Sequence, residues 1–419
     1  MYLLFSNLRG TVDIADYGRL IRWRSALVME IDAPDENDQK ADQGHHSDNS
    51  GDAARHAEPG SNHRAALFVK SRAMKAIVVR EHGGVERLEH STVPDPVPQL
   101  DEAVVRVRAV ALNHLDLWVR RGVPGHKFHL PIIPGAEVAG IVEEVREGTG
   151  WKRSDEVIVA PGYSCGTCVA CLSGNDPLCV SAGIFGENRN GGCAEKIAVP
   201  IRNLIRKPES LSFAEAAAIP LDMVTAWHML LARAQLRAGE TVLVQAGGSG
   251  VGSAAIQIAR LWHATVYTTV GSAEKAKRAK QLGADETILY RETDFVAVVR
   301  ALTNKRGVDV VFEHIGGETF ERSLKCLAKG GRLVTCGATA GGEATINIRL
   351  IFFKLLSILG STMGSLAELH EIMKHVEAGR LHPVVDRVLP LGEIGEAHRI
   401  LENREAFGKV VLSLDNPTT

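Results

Sequence analysis

Four cysteines, Cys165, Cys168, Cys171 and Cys179, fall in the pattern C-x2-C-x2-C-x7-C. Four thiolates at such short spacing fit a closed tetrahedral zinc site. A closed site has no open coordination position, so one zinc held there stabilises a lobe and does no catalysis. An iron–sulfur cluster also takes four cysteines, but the short last gap and following proline of the bacterial ferredoxin run are both missing. Cys193, Cys326 and Cys336 read as small buried apolar residues. The clustering points to a metal site in a reducing compartment, hence a cytoplasmic protein, and not to a disulfide framework.

A second chemistry lies in Thr241-Val-Leu-Val-Gln-Ala-Gly-Gly-Ser-Gly-Val-Gly-Ser-Ala-Ala-Ile. This segment reads as strand, glycine-rich turn and helix. Gly247, Gly248, Gly250 and Gly252, with Ser249 and Val251 between them, let the backbone turn sharply and approach a pyrophosphate. The helix that follows offers free N–H groups and the positive end of its dipole to the phosphates. The next strand, Thr265-Val-Tyr-Thr-Thr-Val, ends in Gly271-Ser272 with no acid before Glu274. A carboxylate there would bind a ribose 2′-OH and repel a 2′-phosphate. Ser272 and Lys275 suit a phosphate instead, so NADP(H) is favoured over NAD(H). Lys277 and Lys280 read as the solvated face of the next helix.

The elements that position these groups change in character along the chain. From 74 to about 200 short β runs recur, among them Ala103–Val110, Ile141–Val145 and Glu156–Val159. From about 212 helix and strand alternate. Ala214–Leu231 reads as helix, Glu240–Gln245 as strand, Gly250–Leu261 as helix, Thr265–Val270 as strand and Ala273–Leu282 as helix. Val308–Glu313 and Arg332–Thr335 are further strands, and the alternation predicts a parallel sheet covered by helices. A helix (Ala367–Ala378), a strand near Val384–Leu389, a helix near Ile394–Leu401 and a last strand, Gly408–Leu414, close the chain. Residues 1–73 differ: Asp32 to Arg64 holds almost nothing large and apolar, and reads as a disordered extension. His45, His46, His56 and His63 belong to that solvated segment, and Met74 is the expected functional start.

Composition bounds the function. The 419 residues carry 48 Lys plus Arg against 50 Asp plus Glu, a formal charge of −2 that gives no electrostatic case for nucleic acid or an anionic membrane surface. The most apolar run, Leu350 to Leu359, is too short for a membrane span and carries Lys354. A small-molecule substrate is the remaining partner.

Together with Asn113-His-Leu-Asp, Pro134-Gly-Ala-Glu-Val-Ala-Gly, Gly191-Gly-Cys-Ala-Glu and Lys329-Gly-Gly-Arg-Leu-Val, these features resemble the medium-chain dehydrogenase/reductase superfamily, from Met74 to about Leu414. That superfamily includes zinc alcohol dehydrogenases and NADPH:quinone oxidoreductases. The resemblance implies an α/β protein: a GroES-like β-rich catalytic domain (74–222 and 366–419, with the cysteine lobe at about 162–182) plus a Rossmann domain with a doubly wound parallel sheet (223–365). It implies an active site in the cleft between them and a homo-oligomer, dimer or tetramer. The family's catalytic zinc ligands stand at Asn113, Ala136 and about Leu221, its proton relay at Leu115 and Trp118, and none of these residues is a suitable ligand or relay. The match is therefore to the zinc-free branch, with hydride transfer from NADPH to an α,β-unsaturated carbonyl or quinone. By family position Asn113 faces the nicotinamide and substrate, Thr225 contacts the nicotinamide region, His114 reaches the pyrophosphate and Tyr290 lies by the 2′-phosphate. Asp116 and Glu137 match acids behind the metal in zinc-dependent members. Two rivals stand beside this reading. One is an alcohol dehydrogenase whose zinc site is rebuilt from His114, His126, His129 and Glu137; the other is a catalytically silent NADPH-binding protein.

Overall fold

A computed structural model describes residues 72–414. The expected disordered extension up to residue 71, with its four histidines, lies outside the described residues.

The first half is built from short strands. β1 (Ala73–Val78) and β2 (Glu89–Pro94) form an antiparallel hairpin. β3 (Glu102–Ala111) is the spine of a seven-stranded sheet, flanked by β4 (Glu137–Glu144), which continues to β5 (Glu156–Val159). β6 (Gly162–Tyr163) and β7 (Gly183–Ile184) pair at the base of the cysteine lobe. β8 (Lys196–Pro200) adds to β3, and β9 (Leu204–Arg206) adds to β5. Gly140 explains why Pro134-Gly-Ala-Glu-Val-Ala-Gly ends in glycine: a Cβ there would lie 2.3 Å from the Arg106 carbonyl on β3. Helix α1 (His114–Arg121) starts where β3 ends, and α2 (Val169–Leu172) is a single turn in the lobe.

The Ala214–Leu231 helix expected from composition is interrupted. It becomes α3 (Phe213–Ala217), α4 (Pro220–Trp227) and a π-helical turn, His228–Arg233. Pro220 has no N–H to continue the first helix, but suits the first position of the second. Strands β10 (Thr241–Val244), β11 (Thr265–Val270), β12 (Glu286–Leu289), β13 (Val308–Glu313), β14 (Leu327–Thr335) and β15 (Ser357–Gly360) form a wholly parallel sheet in the order 12-11-10-13-14-15. The crossovers are α5 (Gly250–Leu261), α6 (Ala273–Gln281), α7 (Phe295–Leu302), α8 (Gly317–Cys326) and α9 (Ile348–Lys354). Order reverses at β10, which opens a crevice at the carboxyl ends of β10 and β13, the place such sheets bind ligands. Sheet and helices share one core that includes Ile219, Trp227, Ile256 and Phe312.

After α10 (Leu366–Glu377) the chain returns to the first sheet. β16 (Val385–Pro390) and β17 (Lys409–Ser413) complete it beside β3, with α11 (Ile394–Glu402) between them. The architecture is thus a GroES-like β-rich body and a Rossmann sheet, built from the two ends and the middle of the described residues respectively.

Candidate active site

The end of β3, the start of β4, the first turn of α4 and the first residue of β17 meet at one buried point. Each contributes one polar side chain. Asn113 is 8% exposed, Glu137 0%, Asp222 7% and Lys409 4%. The Lys409 ammonium lies 2.5 Å from Glu137 Oε2 and 3.0 Å from Asp222 Oδ2, and donates to Asn113 Oδ1 at 2.6 Å. Asn113 Nδ2 donates to Glu137 Oε2 at 3.0 Å, and the Leu221 N–H donates to Glu137 Oε1 at 2.7 Å. The second Asn113 N–H has only a long contact, 3.4 Å to the Ala111 carbonyl.

One ammonium thus serves two buried carboxylates. Burial pushes the Glu137 carboxyl up to about 7; Lys409 opposes that shift, and Asp222 adds to it by competing for the same cation. Burial also works against the charge on Lys409, but Asp222 and Glu137 outweigh it and hold the amine above the ordinary lysine value. Asp116 is 1% exposed, and its two oxygens accept the Asn113 and Gly135 N–H groups at 2.8 Å each. It fixes the turn that carries Asn113 to the loop that carries Ala136. Burial raises its carboxyl to about 6, against those two bonds.

The glycine-rich turn closes on this point. Ala246 takes a left-handed conformation, φ 47°, to reverse the chain after β10, and its N–H is held by Thr269 Oγ1 at 2.9 Å. Ser249 caps α5 by accepting the Gly252 N–H at 3.0 Å, and the other first-turn amides remain for an anion. A Cβ on Gly250 would lie 1.8 Å from Asp222 Oδ2, so the helix start sits directly against the buried cluster. A Cβ on Gly252 would meet the Ala246 carbonyl at 2.4 Å, and one on Gly247 the Thr268 hydroxyl at 2.1 Å. Those two glycines are required by the turn itself. Thr225 lies one helical turn beyond Asp222 on α4; it is 5% exposed and its hydroxyl has no partner. Ion pair aside, Asp222 Oδ2 also accepts no hydrogen bond. The Thr225 hydroxyl is thus the polar group of this corner that is free to meet a bound molecule.

The cysteine lobe is a separate centre. The four sulfurs lie within 4.8 Å of one another, with pair distances of 3.5, 3.6 and 3.9 Å. A tetrahedral zinc with bonds of about 2.3 Å needs sulfurs about 3.8 Å apart, so the cage fits. Backbone N–H groups of Gly166, Cys168 and Ser181 point at sulfurs from 3.3 to 3.4 Å. Such bonds from Thr167 and Cys168 draw the Cys165 thiol down to about 5.

Two family profiles match the chain. The alcohol dehydrogenase GroES-like domain covers residues 99–209, and the zinc-binding dehydrogenase domain covers residues 250–378. The chain is 34% identical over 354 residues to a zinc-type alcohol dehydrogenase-like protein of Schizosaccharomyces pombe, spanning 82% of this chain and all of that one. It is 30% identical to the quinone oxidoreductase of Homo sapiens, over 81% of this chain and 98% of that protein. The crystal structure of an NAD-dependent alcohol dehydrogenase superposes with a TM-score of 0.79 at 49% identity, covering 82% of this chain and all of that one. The chain belongs to the medium-chain dehydrogenase/reductase superfamily. It is an NAD(P)-dependent oxidoreductase of the zinc-type alcohol dehydrogenase and quinone oxidoreductase kind.

Within this oxidoreductase the remaining sequence-derived residues fall at three places. His114 follows Asn113 and lies near His314 and Arg404; burial, then those two neighbours, lowers its imidazole to about 4. Ser272 caps α6 and accepts the Lys275 N–H at 3.3 Å. Tyr290 is 39% exposed, and its hydroxyl lies beside Gly271. The Lys275 amine donates to the Arg404 and Ala406 carbonyls at 2.7 and 2.8 Å. Of the four residues considered for a rebuilt metal site, His126 lies 3.2 Å from Glu187, His129 lines a different cavity and Glu137 belongs to the lysine cluster.

Sequence reasoning missed Lys409, Asp222 and His314. Lys409 had a signal: a lone charge inside the apolar run of the last strand. His314, at the end of β13, donates from Nε2 to the Gln245 carbonyl at 3.0 Å and lies 3.4 Å from Ser249 Oγ. Nothing local in the sequence marks it.

Proposed function

We propose that this oxidoreductase uses NADP(H) to transfer a hydride to an α,β-unsaturated carbonyl or quinone, with one structural zinc and no catalytic metal. The observation that carries the reading is the Asn113–Glu137–Lys409–Asp222 cluster. A lysine ammonium stands 2.6 Å from the residue at the first family ligand position, and a buried alanine stands at the second. That donor set offers a cation, an amide and shared carboxylates where a zinc would need thiolate or imidazole.

When bound, the dinucleotide supplies the hydride. The residues of the chain do the rest. The turn at 247–252 and the start of α5 receive the pyrophosphate. Thr225 offers its unpartnered hydroxyl to the nicotinamide end. Lys409 polarises the Asn113 amide through Oδ1, which strengthens its N–H groups as donors. The N–H that makes only the 3.4 Å contact is the one left to meet negative charge developing on a carbonyl oxygen. Asp116 and Glu137 hold that amide in place. The cofactor preference rests on Ser272 and Tyr290 around a strand end that carries no acid, while the Lys275 amine, expected to pair with a phosphate, is taken up by the Arg404 and Ala406 carbonyls.

Two finer points belong to this reading. Seven cysteines without a disulfide among the described residues fit a cytoplasmic enzyme. The outer edge of β15, unpaired among the described residues and carrying exposed Ile358, fits a homo-oligomer.

The test is zinc per chain on purified protein, followed by turnover of enones, quinones, alcohols and aldehydes with each dinucleotide. One zinc, lost in Cys168→Ser, with enone or quinone reduction preferring NADPH, is the expected result. A second zinc that survives the mutation, with alcohol oxidation, would replace this reading by a zinc alcohol dehydrogenase. Dinucleotide binding without any turnover would replace it by a silent binding protein.

A further inference from the structure

The segment from Arg404 to Lys409 leaves α11 and lies across the glycine-rich turn before entering β17. Its attachments come from both sides. The Gly408 N–H donates to the Gly248 carbonyl at 2.9 Å, and Gly408 forms a bridge with Ser249. The Phe407 N–H donates to Asp386 at 3.1 Å, and the Lys409 N–H to the Val384 carbonyl at 2.8 Å. The buried Phe407 ring lies over the turn, where a Cβ on Gly248 would approach it to 3.2 Å. From α6, Arg278 donates to the Phe407 carbonyl at 3.2 Å, pairs with Asp386 at 2.9 Å and stacks on the Phe407 ring at 4.3 Å. The Lys275 amine takes two more carbonyls of the segment, those of Arg404 and Ala406. The two cations of α6 nearest the turn are thus fasteners of a strap.

Arg291 is placed differently. It follows Tyr290 at the end of β12, the strand beside β11. At Gly271, where the ribose edge of a dinucleotide comes, a Cβ would lie 3.3 Å from Tyr290 Oη and 3.5 Å from Arg291 Nε. Arg291 is exposed, rests over the Tyr290 ring at 6.0 Å and has no ion pair among the described residues. A guanidinium with its donor fork open beside that strand end suits bidentate contact with a phosphate.

We propose that the two cations divide the work: Lys275 fastens the 404–409 strap over the glycine-rich turn, and Arg291 distinguishes a 2′-phosphate from a 2′-hydroxyl. This deepens the NADP(H) reading and rests on it for Arg291 alone. Loss of the strap disturbs the pyrophosphate cradle that both dinucleotides use, so Lys275 acts on NADPH and NADH alike. Arg291 touches nothing in the cradle, so it acts on one of them.

The experiment has two readouts on the whole chain. Hydrogen exchange of the dinucleotide-free protein follows the Phe407, Gly408 and Lys409 amides, and calorimetry gives Kd for NADPH and NADH. Lys275→Met and Lys275→Gln are expected to speed exchange at those three amides and to weaken both dinucleotides by a common factor. Arg291→Met is expected to leave the exchange unchanged and to weaken NADPH by about tenfold or more, the scale of a charge-assisted hydrogen-bond pair, with NADH unaffected. The proposal is overturned if either Lys275 variant loses NADPH selectively, if exchange at 407–409 is unchanged in both, or if Arg291→Met keeps the wild-type ratio of the two Kd values. Equal wild-type affinity for NADPH and NADH would remove the NADP(H) reading and the Arg291 role with it, while the exchange data would still decide the role of Lys275.

Discussion

At Asn113 a single amide is held at both ends, and its two assignments pull apart in an experiment. As a packing residue it satisfies Glu137 and Lys409; as a donor it meets the substrate. Asn113→Ala leaves two buried charged groups short of a partner, a cost of about 1–3 kcal/mol in urea unfolding. Loss of an oxyanion donor lowers kcat by about 10²–10³-fold with the dinucleotide Kd little changed. A variant that loses stability but keeps kcat would make Asn113 a packing residue only. A different residue gives the pH prediction. His398 is 0% exposed, and its ring lies 3.3 Å from Arg120. Burial, and then Arg120, lowers the imidazole to about 3. The unfolded chain protonates this histidine near the ordinary value of about 6.5 while the folded chain does not. Its stability contribution is therefore complete above that value and is lost as pH falls towards the folded value, by about 1.4 kcal/mol per pH unit. His398→Leu removes this slope. Measured by urea unfolding, the variant gains about 2 kcal/mol on the wild type between pH 7 and pH 5. A constant difference across that range would mean that the buried ring titrates as it does in the unfolded chain.

Elements were legible where the pattern is local. Gly250–Leu261, Thr265–Val270 and Val308–Glu313 sit where the residue pattern put them, and Ser249 fixes the start of the first by capping it. The break at Pro220 was missed because the composition on both sides is equally helical. The Lys409 cluster was invisible for another reason: Lys409 and Asn113 are 296 residues apart, and no spacing rule joins them. Chemistry in the cysteine lobe was readable because all four sulfurs lie within fifteen residues, and the fold confirms that they converge. The lobe has little else to hold it together. Its one-turn helix buries no residue, and Val169, Leu172, Leu178 and Val180 are 84%, 75%, 76% and 99% exposed. With so little apolar burial, metal ligation is the main available source of order. Zinc removal, or Cys168→Ser, is expected to open residues 165–181 to limited proteolysis while far-UV circular dichroism barely changes. Equal protease resistance with and without the metal would show that the lobe orders itself.

Over the whole molecule, no helix among the described residues is long and apolar enough to cross a membrane. Large apolar residues are left exposed on the Rossmann side. They gather at one edge. β15 is the last strand of the parallel sheet, and its outer side pairs with nothing among the described residues. Ile358 on that strand is 38% exposed; Ile348, Phe352, Phe353 and Leu355 on or just after α9 are 70%, 56%, 70% and 65% exposed. An edge strand flanked by such residues is a template for another strand, and one without charges on its face invites it. A second copy presents the same strand, and a two-fold axis across the edge would join the two sheets and cover both sets of side chains at once. The wild type is then expected to sediment at twice the chain mass at micromolar concentration. Ile358→Lys, which places an ammonium on the edge, is expected to sediment at the single-chain mass and to retain turnover, since the glycine-rich turn follows β10, three strands in from that edge, and the buried lysine cluster is built from β3, β4, α4 and β17. A wild-type monomer, or a variant that still pairs, would place the contact elsewhere and leave the apolar edge without a partner. Coupled loss of pairing and turnover would mean that the edge supports the β14 end of the cleft, because β15 is hydrogen-bonded to β14 from Arg332 to Thr335.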